Sequence, residues 1–252
     1  MPRTRFAPRV FVLMVIALVV AAVCVRLGIW QLHRLSERRA YNASVRLGLA
    51  QAPVPLPSLP QARYDPGAVT YRRVEVSGTY DSDRQVVLYG RSLNEQPGSH
   101  VLTPLVTEDA RAILIDRGWI PIEIDPADPR AGAPGGPVTV AGVLFPSEGD
   151  PPGAPPASVD AEASRTVSRV DLAGIQKLVP DALYPEYLLL QSQQPPQPGP
   201  LPEPGTLPEL SEGPHLSYAI QWFSFAAIAL VGCAILVRND VRATPSPSQE
   251  QE

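Results

Sequence analysis

Cysteine is nearly absent from this chain, and the shortage excludes several chemistries at once. Two cysteines in 252 residues cannot staple a disulfide miniprotein. A copper carrier or thiol oxidoreductase needs two thiols close together, whereas Cys24 and Cys233 sit in separate apolar runs. In the two-span topology argued below they lie ~20 Å apart in depth at 1.5 Å per residue, so both read as small packing residues. A glycine-rich phosphate loop, a nucleophile elbow and a histidine pair at helical spacing are all missing. With only three histidines but many acids, a hydrolase trio around His100 would arise by chance in most chains. No catalytic residue is therefore expected, and the protein is read as a non-enzyme. There is no internal repeat and no basic face for nucleic acid. Residues 1–39 carry seven Arg against Glu37, net +6, while residues 40–214 carry twelve basic against twenty-one acidic side chains, net -9.

What is abundant is proline, and two long apolar runs. Thirty-one prolines are about one residue in eight, more than twice the ordinary usage of ~5%, which excludes a helical bundle or coiled coil for most of the chain. Val10 to Val25 is an unbroken apolar run of sixteen residues, and Tyr218 to Val237 is one of twenty in which Gln221 and Ser224 are the strongly polar interruptions. Twenty residues at ~1.5 Å rise span ~30 Å, the thickness of a bilayer core. The first run is a membrane anchor or a signal peptide. Its length, and its extension through Leu27 to Trp30 past a snorkelling Arg26, favour the anchor. Acylation at Cys24 is disfavoured by bulky Val23 before it.

Arg238 and Arg242 follow the second run, and Glu203, Glu209 and Glu212 precede it without a nearby Lys or Arg, so its C-terminal end is expected in the cytoplasm. Two spans then place both termini on that side. The expected layout is a cytoplasmic N-terminus over 1–9, a transmembrane helix over 10–30, and a juxtamembrane helix with a proline-rich connector over 31–70. An extracytoplasmic β-rich domain follows over 71–192, then a proline-rich linker over 193–217, a second transmembrane helix over 218–237 and a disordered cytoplasmic tail over 238–252. A bacterial plasma membrane is the expected location, because a span beginning near residue 10 leaves no room for a mitochondrial presequence.

The middle region alternates with a period of two. Strands are predicted at Tyr71 to Tyr80, Gln85 to Arg91, Ser99 to Thr107, Ala110 to Asp116, Val138 to Phe145, Arg165 to Val170 and Tyr187 to Gln191, with a short helix over Leu172 to Val179. Hairpin-length turns such as Asp81-Ser82-Asp83 imply a mainly antiparallel sheet, closed into a barrel in one version. The fold class is thus a membrane protein, two transmembrane helices flanking a mainly antiparallel α+β domain. Pro121 to Pro156 holds ten prolines and Pro195 to Pro214 eight, and both are expected to be unpacked loops.

His33 and His215 flank the two spans on the outer side, beside Trp30 and Trp222. Imidazole there would ligate haem iron, with Arg26 and Arg34 available for propionates. The plainer account is an exposed interfacial histidine. The residues also form blocks. LGIWQLHRL over 27–35 resembles the LGxWQxxRL signature of the Surfeit locus protein 1 family, also called Shy. Arg73-Val74 with Gly78-Thr79-Tyr80, GSHVLTPL over 98–105, IDRGWIP over 115–121 and HLSYAIQWF over 215–223 resemble further family elements in the same order. The resemblance implies an assembly factor for haem-copper cytochrome c oxidase. It further implies that haem a is handled or protected during maturation of subunit I, that subunit I, haem a synthase and the lipid bilayer are partners, and that His215 is the haem residue. Glu212-Gly213-Pro214 departs from the Asn residues often found before that histidine, and the proline-rich insertions are longer than usual. The competing reading is a structural membrane protein whose periplasmic sheet binds another protein and no cofactor. For Trp119, Gly118, Asp116 and Arg117 a structural role is expected: core aromatic, special backbone geometry and turn pairing.

Overall fold

A computed structural model describes residues 8–58, 69–149, 158–160 and 165–243. The chain forms two compact units, one of residues up to Ala43 together with those from Leu210 onward, the other of Ser44–Glu209. The tail from Thr244, most of 1–9 and residues 150–156 of the first proline-rich stretch lie outside the described residues.

The first unit is built from helix α1, Pro8–Ala50, which continues into the second unit at its C-terminal end, and helix α3, His215–Ala243. Each is long and apolar enough to cross a membrane. Their buried positions recur at intervals of three, four and seven: Ala21, Cys24, Gln31, Leu35 and Asn42 on α1, and Ala219, Ala226 and Cys233 on α3. That 3.5-residue repeat is the seam of a two-helix coiled coil. Ala226 packs beside Ala21 and Cys24 while His215 meets Gln31, so the helices run antiparallel. Small residues let the backbones approach closely; a side-chain carbon added to Gly28 would stand 2.7 Å from the ring of Phe223. Large apolar side chains point outward, Ile228 being 67% exposed. Both cysteines are free and buried, as packing residues should be.

The second unit is a nine-stranded sheet. Its strands are β1 Val54–Pro55, β2 Arg73–Tyr80, β3 Val86–Leu93, β4 Gln96–Thr107, β5 Arg111–Pro121, β6 Pro137–Pro146, β7 Ser158–Asp160, β8 Thr166–Val167 and β9 Ala182–Gln194. The strand order is β1-β2-β6-β9-β5-β4-β3-β8-β7, and an additional antiparallel pairing of β2 with β4 closes five of these strands into a barrel, β2-β6-β9-β5-β4. Strand alternation sorts the core. Val76, Leu105, Ile113, Ile115, Val140 and Leu188 share one cluster inside the barrel, and Leu88, Leu102, Leu114, Ile175, Val167 and Tyr187 share another on its outer face. Each such side chain, fully buried, contributes roughly 1.5–3 kcal/mol. β5 is buried along almost its whole length, because β4 and β9 flank it and side chains cover both faces.

All seven predicted strands are present, with ends displaced by a few residues. The short helix is α2, Leu172–Ile175, extended by a 3-10 turn over Gln176–Leu178 and begun by Asp171, whose side chain accepts the Ala173 N–H at 3.1 Å. The sheet is mainly antiparallel as expected, with three parallel pairings, β9 with β5, β1 with β2 and β8 with β3; long connections make parallel pairing possible. Two corrections follow. The proline-rich connector after α1 is partly sheet: Val54 and Pro55 extend its edge, and Leu56 is buried in the barrel core. The proline-rich stretches also pack where they are described. Residues 195–209, expected as linker, belong to the barrel unit, and Glu203 pairs with Trp119 through backbone hydrogen bonds of 2.8 Å in both directions.

The clamp behind that packing is Arg117, fully buried within β5. It donates to the carbonyls of Ala131 (3.0 Å) and Gly132 and to Gln197 Oε1, thereby binding both proline-rich stretches to the strand. Burial lowers its pKa to about 10. Trp119, two residues on, is a core aromatic at 3% exposure. Gly118 between them has φ +122°, and a side-chain carbon there would strike the Glu203 carbonyl.

Candidate functional site

The site residue singled out in the sequence, His215, is the first residue of α3. The segment ahead of it is held by a polar stripe on α1. Arg38 Nε donates to the Ser211 carbonyl at 3.0 Å, and Asn42 Nδ2 donates to the same oxygen at 3.2 Å. Arg39 pairs with Glu212 at 2.9 Å, and that hydrogen bond, followed by the charge of Glu212, raises the Arg39 pKa. Arg38 and Arg39 sit one helical turn before Asn42 along α1, the spacing that lines up one face. Two turns nearer the apolar run than Arg38, Gln31 lies on the same face, 9% exposed, with Oε1 2.9 Å from His215 Nδ1.

Gln31 is the residue that sequence reasoning missed. It stands inside the LGIWQ block, and its register with Ala21, Cys24 and Leu35 was a usable signal: a polar side chain on an otherwise apolar seam needs a partner. The bond fixes the orientation of the imidazole ring through Nδ1. The other ring nitrogen, Nε2, lies beside the Gly213 backbone, where an added side-chain carbon would touch it at 3.6 Å.

His33 is not brought to this place. Two residues beyond Gln31 is roughly 200° around a helix, and His33 lines a groove of about 540 Å³ with Val23, Arg26, Leu27, Ile29 and Trp30. Trp222 packs against the Ala21, Cys24 and Ala226 cluster and meets Phe225 edge-on at 5.9 Å. Arg34 pairs with Glu37 at 2.7 Å along α1. In the barrel unit, His100 finds Asp116, with Nδ1 2.8 Å from Oδ2.

The SURF1 family profile matches residues 18–227, a stretch that runs from within α1 to within α3 and contains both Gln31 and His215. The chain belongs to the SURF1 family. Among its relatives, an uncharacterised SURF1-like protein of Mycobacterium bovis is 31% identical over 218 residues, which is 85% of this chain and 78% of that protein. A SURF1-like protein of Monosiga brevicollis is 26% identical over 84% of this chain and 83% of its own length. Surfeit locus protein 1 of Mus musculus is 24% identical over 83% of this chain and 71% of its own. The SURF1 match thus takes in the whole barrel unit and part of each apolar helix.

Proposed function

We propose that this SURF1-family chain is a membrane-anchored, non-enzymatic assembly factor for haem-copper cytochrome c oxidase, and that His215 holds haem a as cargo on its way to subunit I. The observation that carries the reading is the His215–Gln31 hydrogen bond at 2.9 Å. Metal-ligating histidines are typically oriented by a hydrogen bond at the second ring nitrogen, and Gln31 supplies that bond from a buried position. The anchored ring presents Nε2, and iron takes the neutral imidazole. Subunit I and haem a synthase are the partner proteins in this reading.

Membrane anchoring is supported by the inside-out packing of α1 and α3, whose small residues face each other and whose large apolar residues face outward. Arg238 and Arg242 after α3 favour cytoplasmic termini in a bacterial plasma membrane, with the barrel outside.

Two experiments test the proposal. Protein purified from cells that make haem a should show a Soret band and retain subunit I. His215→Ala should remove or shift the band while α3 still inserts, whereas His33→Ala should leave it in place. A wild-type protein that carries subunit I but no pigment would favour the protein-binding sheet without cofactor. A reporter enzyme active only outside the cytoplasm should work when fused in the loop after Ala127 and be silent after Arg242. Equal activity at both positions would remove the two-span topology.

A further inference from the structure

A second site is built into the outer face of the barrel, around His100 of β4. Leu88 of β3 lies directly opposite His100 in the register and shares its face. Farther along β3, regular alternation would turn Arg91 to the other face. An extra residue, Gly90 with φ +73°, shifts the register between Tyr89 and Arg91 and brings Arg91 opposite Gly98, back to the His100 side. On the other flank, the β4/β5 register shifts through Arg117 and Gly118, and the Gly118 N–H is delivered to Asp116 Oδ1 at 3.0 Å. Two bulges, on the strands β3 and β5 that flank β4, therefore converge on one histidine, one by aiming a cation and the other by fixing a carboxylate.

His100, Asp116, Arg91 and Tyr187 line a single cavity of about 300 Å³, over which Thr206 and Pro208 of the packed proline-rich strap pass. Its wall includes the rings of Phe145 and Tyr187, stacked at 5.7 Å with an angle of 30°. Asp116 takes the Nδ1–H of His100, so Nε2 offers a lone pair to the cavity. The Arg91 guanidinium is paired with Glu148 at the long distance of 3.6 Å and has donors left for a second carboxylate. A metal suits this site poorly. Among the described residues no group of three His, Cys, Asp or Glu is placed to hold one, and Glu148 already accepts the Val170 N–H at 3.1 Å.

We infer that this cavity binds a small planar aromatic acid: its carboxylate on Arg91, its ring against Phe145 and Tyr187, and a ring hydroxyl donating to His100 Nε2. Cavities of this size suit single-ring ligands, and a buried hydrogen-bonding group discriminates strongly against a ligand lacking its partner. The inference is independent of the haem reading, since none of these residues belongs to α1 or α3.

Calorimetric titration of the full-length protein in detergent with 4-hydroxybenzoate and with benzoate tests it. The hydroxylated acid should bind saturably at one site, at least tenfold more tightly than benzoate. His100→Gln should erase the preference between the two acids, and Arg91→Gln, a change on the rim, should weaken both at least tenfold. Near-native circular dichroism of the two variants checks that they fold. Absence of saturable heat in the wild-type protein up to millimolar acid, equal affinity for the two acids, or unchanged affinity in the folded Arg91→Gln variant would overturn the inference. So would a Zn²⁺ site lost in His100→Gln and indifferent to either acid.

Discussion

The two units of this protein solve burial in opposite ways. In the helix pair the seam is made of Ala21, Cys24, Gly28, Ala219 and Ala226, and the large residues face outward. In the barrel the large residues Leu105, Ile113, Ile115 and Leu188 fill the inside. The difference is the one that the proposed membrane anchoring requires. Water makes large apolar side chains the driving force of a core, whereas for helices in lipid close backbone approach and a few polar bonds supply the attraction. Each unit has both paired and unpaired buried polar atoms: His215 and Gln31 meet across the helix seam and His100 meets Asp116 in the barrel unit, while Asn42 Oδ1 on α1 and Glu186 Oε1 in the barrel unit have no hydrogen-bond partner among the described residues.

The strongest way to break the barrel and spare the helices is Trp119→Ala. Truncating a buried Trp costs ~3–5 kcal/mol, a large share of the ~5–15 kcal/mol that holds a domain. The variant should accumulate poorly and melt early in detergent, while its apolar helices still partition into membranes. A normal melt combined with lost oxidase assembly would instead make Trp119 a contact residue.

Glu186 sharpens the comparison through pH. Burial raises its pKa from the ordinary value of 4.5 to about 8. The folded state therefore keeps the proton over a range in which the unfolded chain has lost it. This carboxyl costs nothing below the unfolded value, destabilises the fold progressively as pH rises from about 4.5 to 8, and adds no further slope above that. Glu186→Gln should raise stability at pH 7 by about 1–3 kcal/mol and flatten the slope between those limits. Chemical denaturation at a series of pH values reads both, and a variant with the wild-type slope would assign the pH dependence to other groups.

An effect of similar size and opposite sign is expected from Gly28→Leu, which forces a side chain into the ring of Phe223. Overpacking of this kind costs ~1–3 kcal/mol. Here the barrel's melting should be unchanged, while spin labels on the two helices should report a wider separation. Unaltered spacing would mean that Phe223 swings aside without strain.

Much of this architecture was legible in the residues. The run Val10 to Val25 and the run Tyr218 to Val237 dictated helices because little beyond Gln221 and Ser224 interrupts their apolar surface, and every predicted strand lies where period-two alternation placed it. Trp119 as a core aromatic and Gly118 as a special backbone position followed from the residue types. The proline-rich stretches were misjudged for a physical reason. Proline removes a backbone donor and so argues against helix and inner strand, yet a chain without regular structure still packs when a buried group needs its carbonyls, as Arg117 needs those of Ala131 and Gly132.

Local periodicity describes what a segment does with its own neighbours, and the sequence by itself determined the two apolar helices, the alternating strands and the family blocks. Which distant segments meet was decided only in the tertiary structure: the closure of β2 on β4, the parallel seat of β9 beside β5, Gln31 against His215 and Asp116 against His100. Those pairings depend on shape and hydrogen-bond complementarity between side chains up to 184 positions apart in the chain. A repeat of two or 3.6 residues carries no record of them, because it specifies the face on which a side chain stands and leaves its partner to packing.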